Sequence, residues 1–594
     1  MGQWRTGCRG ERGLSHSRAH KEAATPAVTV LPLNPFTFRL LSVSFGLTLF
    51  DMPLWQSRAS TFWAGLVCLA LFGQTGEAAA QQPSPVRVTT RLVQVDVVAQ
   101  DKRGEPVSGL AREDFVLLDE GREQPVSMFE VESTPPSAPC AETLPPDTFS
   151  NRFERCLDSL GGATAILFDA LNTRATDQAY AKQQIIKFLE QLQPSDRVAL
   201  YAMGRGPLVL QEFTSSPGLL LRALTDFKGD IGPNLEAYVA GDGDTGIAEL
   251  NLWLEELAQK LCEYDVRDRA LRTIRVLAAI ANHLERLPGR KNLIWVSGSF
   301  PVWLGPNAVH TPETIGGGKE SFASEFERAM RALSQAHLAI YPVDARGLMA
   351  PRGFGADHES ISLEPSGSDS ATYLDMQVLA KRTGGRAFFN DNDLRGALRR
   401  AADDSRLVYV LGYYRTYGTW NGRFHEIKVR VNRPGVQLLH KQGYFAQPEE
   451  PATTWYRQSI LNAAVWSPLS ATRLGLTVRA SVTRTGWLDL EIRVDPHDIS
   501  FQNQTDIWEG QLDLKLAQLG PEDRLLGSTA RVATLRLTRL EYQQAVQRKA
   551  VLLSERPEKV PGAVVLRILA RDIGSGRLGS VTIPLNRTPF PLEP

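Results

Sequence analysis

Disulfide staples, net charge and membrane-length apolar runs are all missing or scarce here. Five cysteines among 594 residues are too few for a disulfide scaffold. After the leader-like start only Cys140, Cys156 and Cys262 remain, with no CxxC or Cys/His metal spacing. Cys140 and Cys156 flank a proline-rich stretch, where they either pair or stand as separate thiols. Lys+Arg and Asp+Glu both number 66, so no chain-wide field draws nucleic acid or an anionic membrane, and nucleic acid is set aside as a partner. Enzyme signatures are lacking too. His425-Glu426-Ile427-Lys428-Val429 opens like a zinc-protease helix but has no second histidine and lies in a strand pattern. Gly316-Gly317-Gly318-Lys319-Glu320 lacks the leading glycine and the Ser/Thr of a phosphate loop, and Ser297-Gly298-Ser299 lacks the setting of a nucleophile elbow.

What is present begins with export features. Arg58 precedes an apolar segment over 62–72, followed by Glu77-Ala78-Ala79-Ala80-Gln81, which predicts signal cleavage after Ala80. The segment is short for a membrane span, so no stable transmembrane span is expected after cleavage; an uncleaved anchor is the alternative. Residues 1–80 are read as leader and signal peptide, with Met52 as a natural start. The mature chain is expected to be exported and to be periplasmic, outer-surface or secreted.

The length predicts three or four domains. Residues 87–132 read as a β module, because Val93, Val95 and Val97 alternate with Gln94 and Asp96. Prolines 135, 136, 139, 145 and 146 mark 133–161 as a linker. Residues 162–405 alternate apolar strands with helical patterns: strands over 165–168, 197–203, 292–296, 337–343 and 386–389, and helices over 177–192, 217–224, 268–287, 322–335, 373–382 and 394–404. Such alternation predicts a mostly parallel sheet covered on both faces. The Gly- and Asp-rich stretch 229–249 reads as a loop.

Strand patterns return over 406–447, broken at Trp420-Asn421-Gly422 and Arg433-Pro434-Gly435, and these strands are expected to complete the module begun at Arg87. Beyond a second linker, 455–594 reads as a separate β-sandwich. There Leu474, Leu476, Val478 and Ala480, then Leu488, Leu490, Ile492 and Val494, alternate with polar or small residues.

The stretch Ala165 to Thr173 holds the chemistry. An apolar run ends in Asp169, Asn172 and Thr173, at the carboxyl edge of a buried strand, where open α/β sheets place ligands. Carboxylate, amide and hydroxyl oxygens there suit a hard cation. The commoner use of such residues is to cap the next helix or order a turn, and residue chemistry alone favours that use.

Leu167-Phe168-Asp169-Ala170-Leu171-Asn172-Thr173, followed by Asp196-Arg197-Val198-Ala199, resembles the von Willebrand factor type A domain. With Arg91 to Glu130, Gly412-Tyr413 and Gly443-Tyr444-Phe445, it resembles more closely the bacterial secreted proteins described as VWFA-related. The resemblance implies a Rossmann-like α/β domain with a mostly parallel central sheet, a β-rich flanking module and a C-terminal β-sandwich. It also implies a metal-ion-dependent adhesion site holding Mg²⁺ or another divalent cation. Carried over by position, Asp169 and Thr173 match, Asn172 stands beside Leu171 where the family has serine, and Thr245 is the loop candidate. Gly298 occupies the place of a family aspartate, so the site is degenerate.

The reading favoured on these grounds is a non-catalytic exported module that binds a protein partner in the cell envelope or outside the cell, through the carboxyl edge of its α/β sheet. The alternative is a structural or assembly component of the envelope with a vestigial site. A hydrolase is the weakest reading, because no nucleophile and base can be placed together.

Overall fold

The computed structural model describes residues 92–585 apart from 134–143, 146, 153–161, 205, 229–247, 301–322, 349–366, 416–417, 419, 447–452, 484–485 and 505. The leader, Cys140, Cys156 and Thr245 therefore lie outside the described residues, as does the side chain of Cys262.

The chain opens with β1 (Leu92–Gln100), β2 (Phe115–Asp119), β3 (Arg122–Gln124) and β4 (Met128–Ser133). Val93, Val95 and Val97 point into one core with Leu117, Tyr409, Leu411 and Tyr413, while the opposite face of the strand is covered too, with Val98 in a second cluster beside Val408 and Val410. A short strand, β5 (Thr148–Ser150), follows.

The α/β portion then runs β6 (Ala163–Asp169), α1 (Ala175–Leu189), β7 (Arg197–Met203), β8 (Pro207–Thr214), α2 (Pro217–Asp226), α3 (Ala248–Leu284), β9 (Lys291–Ser297), α4 (Ala323–Gln335), β10 (Leu338–Asp344), α5 (Gly367–Thr383) and α6 (Leu394–Asp403). The sheet order is β10-β9-β6-β7-β8, and every pairing is parallel except that of β7 with β8. Each residue of β6, β7, β9 and β10 is buried, so these strands read as apolar runs rather than alternations. Helices cover both faces. Ile274, Leu277 and Ala281 of α3 pack with Leu333 of α4 on one side, and Ile185, Phe188, Leu398 and Ala401 of α1 and α6 on the other.

The chain then returns to the first module. Strands β11 (Leu407–Tyr414), β12 (Phe424–Val431), β13 (Gln437–His440) and β14 (Gly443–Phe445) complete two sheets, ordered β13-β1-β11-β4 and β14-β12-β2-β3. The last portion contains α7 (Thr454–Val465), β15 (Leu476–Val482), β16 (Leu488–Val494), β17 (Gln502–Gln504), β18 (Ile507–Leu519), β19 (Leu525–Thr538), α8 (Arg539–Arg548), β20 (Val551–Glu555), β21 (Val565–Asp572) and β22 (Leu578–Pro584). One of its sheets is β20-β16-β15-β5, and the other is β17-β18-β21-β22 with β19 on β18. Leu476, Val478 and Ile492 meet Leu514 and Ile568 in a shared core between them.

Four details differ from the sequence reading. The stretch 133–161 is more than a linker: β5 pairs with β15, and Asn151 donates to Ala471 O at 2.6 Å and Leu474 O at 2.9 Å while accepting from Leu476 N at 2.7 Å. The prolines end at Pro146, which frees the next residues to pair. Helix α3 starts at Ala248 rather than 268, supported by the i,i+4 pairs Asp265–Arg269 and Asp268–Arg272. Residues 386–389 form a single bridge, Val343 to Phe388, because the chain turns away at Asn390 with φ +54°. Strand β8 was not foreseen; it begins with Pro207, which only an edge strand tolerates well.

Candidate functional site

Asp169 is the last residue of β6 and is fully buried. Its carboxylate is wrapped in donors. Oδ1 accepts from Asn172 N at 2.9 Å, while Oδ2 accepts from Asn172 Nδ2 at 2.9 Å, Trp295 Nε1 at 3.0 Å and Ser297 Oγ at 2.8 Å. Burial pushes the carboxyl up to about 6, against the pull of these hydrogen bonds. Trp295 and Ser297 belong to β9, the neighbouring parallel strand, so the sheet register itself delivers two of the donors.

Thr173 and Asn172 lie in the same network. Thr173 Oγ1 accepts from Gly298 N at 2.9 Å, and Asn172 Nδ2 also donates to Thr273 Oγ1 of α3 at 3.0 Å. The fold thus gathers Asp169, Asn172 and Thr173 at one strand edge. Two residues the sequence did not point to, Trp295 and Ser297, complete it; both come from a distant strand, and only their apolar-run context hinted at burial.

These groups do not fit a hard cation as arranged. Oδ2 already accepts from Asn172 Nδ2 and Trp295 Nε1 and competes with Ser299 O for the Ser297 hydroxyl proton, and Asn172 turns its amide nitrogen, not its oxygen, toward the carboxylate. Asn172 Oδ1 is a buried acceptor with no partner among the described residues, yet one amide oxygen is far short of the six ligands that Mg²⁺ demands. At Gly298, a Cβ would stand 3.3 Å from Thr173 Cα and Cγ2, so a side chain there fits only tightly against Thr173. No side chain caps α1, whose N-cap is Arg174; Asp169 instead orders the turn after β6 by accepting from Asn172 N, and the other partners come from β9 and α3.

Among the described residues one cluster of Asp, Glu and His has metal-like spacing: Asp119, Glu120 and His425 of the β module. Arg415 lies against two of the three, Asp119 and His425. Its Nη2 donates to His425 Nδ1 at 3.2 Å, and its Nε lies 3.8 Å from Asp119 Oδ2. With Nε2 of His425 placed to donate to Asn421 Oδ1 at 3.2 Å, both ring nitrogens are engaged. Asp119 also accepts from Tyr413 Oη at 2.7 Å and Tyr444 Oη at 3.1 Å. A guanidinium supplies the positive charge that a metal would otherwise bring.

Helix α3 adds a surface beside Asp169. The contact with Asn172 sets Thr273 level with the sheet edge, and helical residues 248–272 run on past it for roughly 35–40 Å at about 1.5 Å per residue. Leu250, Trp253, Leu257 and Tyr264 on this projecting part are exposed, Trp253 at 56% and Tyr264 at 71%. At about 100° per residue the four fall within roughly 60° of one another, on one face of the helix. Among the described residues no helix is long and apolar enough to cross a membrane.

The chain is similar to solved structures of von Willebrand factor type A proteins. An aerotolerance-related membrane protein from Bacteroides fragilis is 13% identical, with 41% of this chain and 99% of that one covered, at a TM-score of 0.22. The vWF domain of the type V pili tip protein Mfa5 from Porphyromonas gingivalis is 10% identical over 41% of this chain and 95% of its own, at 0.23. Proximal thread matrix protein 1 from the mussel byssus, with a zinc-occupied MIDAS motif, is 11% identical over 42% of this chain and 47% of its own, at 0.21. No protein-family model matches the sequence, and no curated protein does.

Proposed function

We propose that this chain is an exported, non-catalytic protein-binding module that captures its partner beside the carboxyl edge of the α/β sheet without a bound cation. The observation that carries the reading is the stripe of Leu250, Trp253, Leu257 and Tyr264 on the projecting half of α3. Large side chains left exposed along one helix face cost solvation and are a common mark of an interface. Their spacing suits the apolar face of a second amphipathic helix, which offers anchors at matching intervals. The Asp169 network supports the reading from below, because it fixes α3 to the sheet through Thr273 and keeps the helix base rigid. Export rests on the leader features of residues 1–80, and the binding domain is taken as 162–405.

The test is capture of a partner from an envelope fraction by the mature chain, run with and without chelator. Capture is expected to persist in chelator and to be lost in the double variant Trp253→Glu, Leu257→Glu, whose exposed positions leave folding intact. Capture that needs a divalent cation, or that survives the double variant, contradicts the proposal.

A further inference from the structure

The C-terminal sandwich carries an aromatic ledge on the outer face of the sheet that holds β18 and β19. Helix α7 lies along β18: Arg457 pairs with Asp513 at 3.0 Å, Asn462 Oδ1 accepts from Lys515 Nζ at 2.6 Å, and Val465 O accepts from Arg567, whose neighbour on β18 is Ala517. The contacts advance together, so helix and strand run parallel. Asp513, Lys515 and Ala517 stand opposite Val532, Ala530 and Ser528 of β19, and residues opposite each other in an antiparallel pair share a face. Those three small side chains are exposed on the face that bears α7. At about 100° per residue Trp455, Asn462 and Trp466 fall within roughly 40° of one another, on one flank of α7 beside the buried Leu461. Gln511 O accepts from Ile573 N just past β21, so the odd-numbered residues of β18 turn their peptide groups toward β21. With L-residues and a right-handed helix parallel to the strand, the flank of Asn462 then lies over β19. Trp455 and Trp466 are 79% and 52% exposed. They stand about 16 Å apart along the helix, at about 1.5 Å per residue.

Indoles left in water cost solvation and mark a contact surface. The charges around them are already matched: Lys515 is held by Asn462, Arg536 faces Glu509 at 3.4 Å, Arg531 reaches Glu555 at 2.7 Å, and Asp513 has Arg457. A charged peptide or an anionic membrane therefore finds no complementary charge here. We propose that the ledge binds an uncharged β-1,4-linked N-acetylhexosamine chain, with one sugar ring on each indole. The C–H face of a pyranose is flat and apolar and suits the face of an indole, while its rim of hydroxyls stays in water. Such a chain is a straight ribbon, so rings along it reach both tryptophans, and Ser528, Ala530 and Val532 leave it room. The acetamido group has its own partner. Asn462 spends its oxygen on Lys515, which leaves its amide N–H groups to donate to a carbonyl between the indoles. A polyproline helix is recognised in an aromatic-lined groove, whereas this ledge is open along the outer edge of β19, on which no further strand pairs among the described residues. The ledge shares no residue with α3, so it stands or falls independently of the binding surface proposed there.

Calorimetric titration of the full mature chain with chitohexaose and chitobiose tests it. Saturable binding of chitohexaose is expected, with chitobiose, too short to span both indoles, at least about tenfold weaker, a difference of about 1.4 kcal/mol. Trp455→Ala and Trp466→Ala are each expected to weaken chitohexaose about tenfold. Trp455 is the more exposed of the two, so its variant reports on binding even where Trp466→Ala disturbs the end of α7. Absence of chitohexaose binding, equal affinity for chitobiose, or unchanged affinity in Trp455→Ala overturns the proposal. Tryptophan-dependent binding of a polyproline peptide or of phosphatidylglycerol vesicles, with none of chitohexaose, overturns it as well.

Discussion

Trp295 reaches from β9 to β6 and donates its indole N–H to Asp169 Oδ2 at 3.0 Å. Both residues are buried, one fully and one at 0% exposure among the largest side chains of the core. A neutral donor thus stands on the carboxylate at the place where the family resemblance implies a cation. Replacing Trp295 with phenylalanine removes that donor and opens space. The expected cost is about 2–4 kcal/mol in urea unfolding, from an unsatisfied acceptor plus a smaller ring. The cavity part is independent of pH, whereas the lost donor matters most when Asp169 is charged. The loss is therefore expected to be larger at pH 8 than at pH 5.

The same carboxyl gives a pH dependence with a definite sign. Its folded value of about 6 exceeds the ordinary 3.8, so the folded state holds the proton more tightly than the unfolded chain. Stability from this group is full below about pH 4 and declines as the pH rises through 6, by about 3 kcal/mol in all. Ser297 sharpens the effect: its single hydroxyl proton has two acceptors, Asp169 Oδ2 at 2.8 Å and Ser299 O at 2.6 Å. Unfolding free energies between pH 4 and 7 are expected to fall in the wild type relative to Asp169→Asn.

Gly298→Asp restores the family residue at its expected position, but only if Thr173 gives way by a few tenths of an ångström. The new Cβ meets Thr173 Cα and Cγ2 at 3.3 Å, and a second carboxylate arrives beside Asp169. We expect a loss of about 1–3 kcal/mol, with a melting temperature that added Mg²⁺ does not raise. Thermal melts with and without the ion check this.

Asn151 holds the stretch before the α/β domain to the C-terminal sandwich through three buried hydrogen bonds. Asn151→Ala strands Leu474 O and Leu476 N, while Ala471 O keeps its bond from Ser580 N at 2.9 Å, so a cost of about 2–3 kcal/mol is expected. Limited proteolysis is expected to cut more readily near Thr148, where β5 pairs with β15.

Much of the fold was legible because burial leaves a mark on composition. Strands β6, β9 and β10 are buried on both faces, and their residues form the unbroken apolar runs that were read as a parallel sheet. Strand β8 escaped notice because its residues are mostly half-buried and follow no single period. The projecting half of α3 was missed for a related reason: its apolar stripe faces solvent, and a core-seeking reading stops at Asp268. At the site, Asn172 was legible as a near neighbour of Asp169. Trp295 and Ser297 were not, since nothing local in either stretch records that β9 lies beside β6.

The claim that hydrogen-bond donors hold Asp169 in place of a cation is tested most directly at the indole of Trp295. Its N–H resonance, assigned by its disappearance in Trp295→Phe, is followed while Mg²⁺ and then paramagnetic Mn²⁺ are added. The account predicts that the signal neither shifts nor broadens beyond the other indoles. Selective broadening by Mn²⁺, or loss of the hydrogen-bonded shift on adding Mg²⁺, would contradict it.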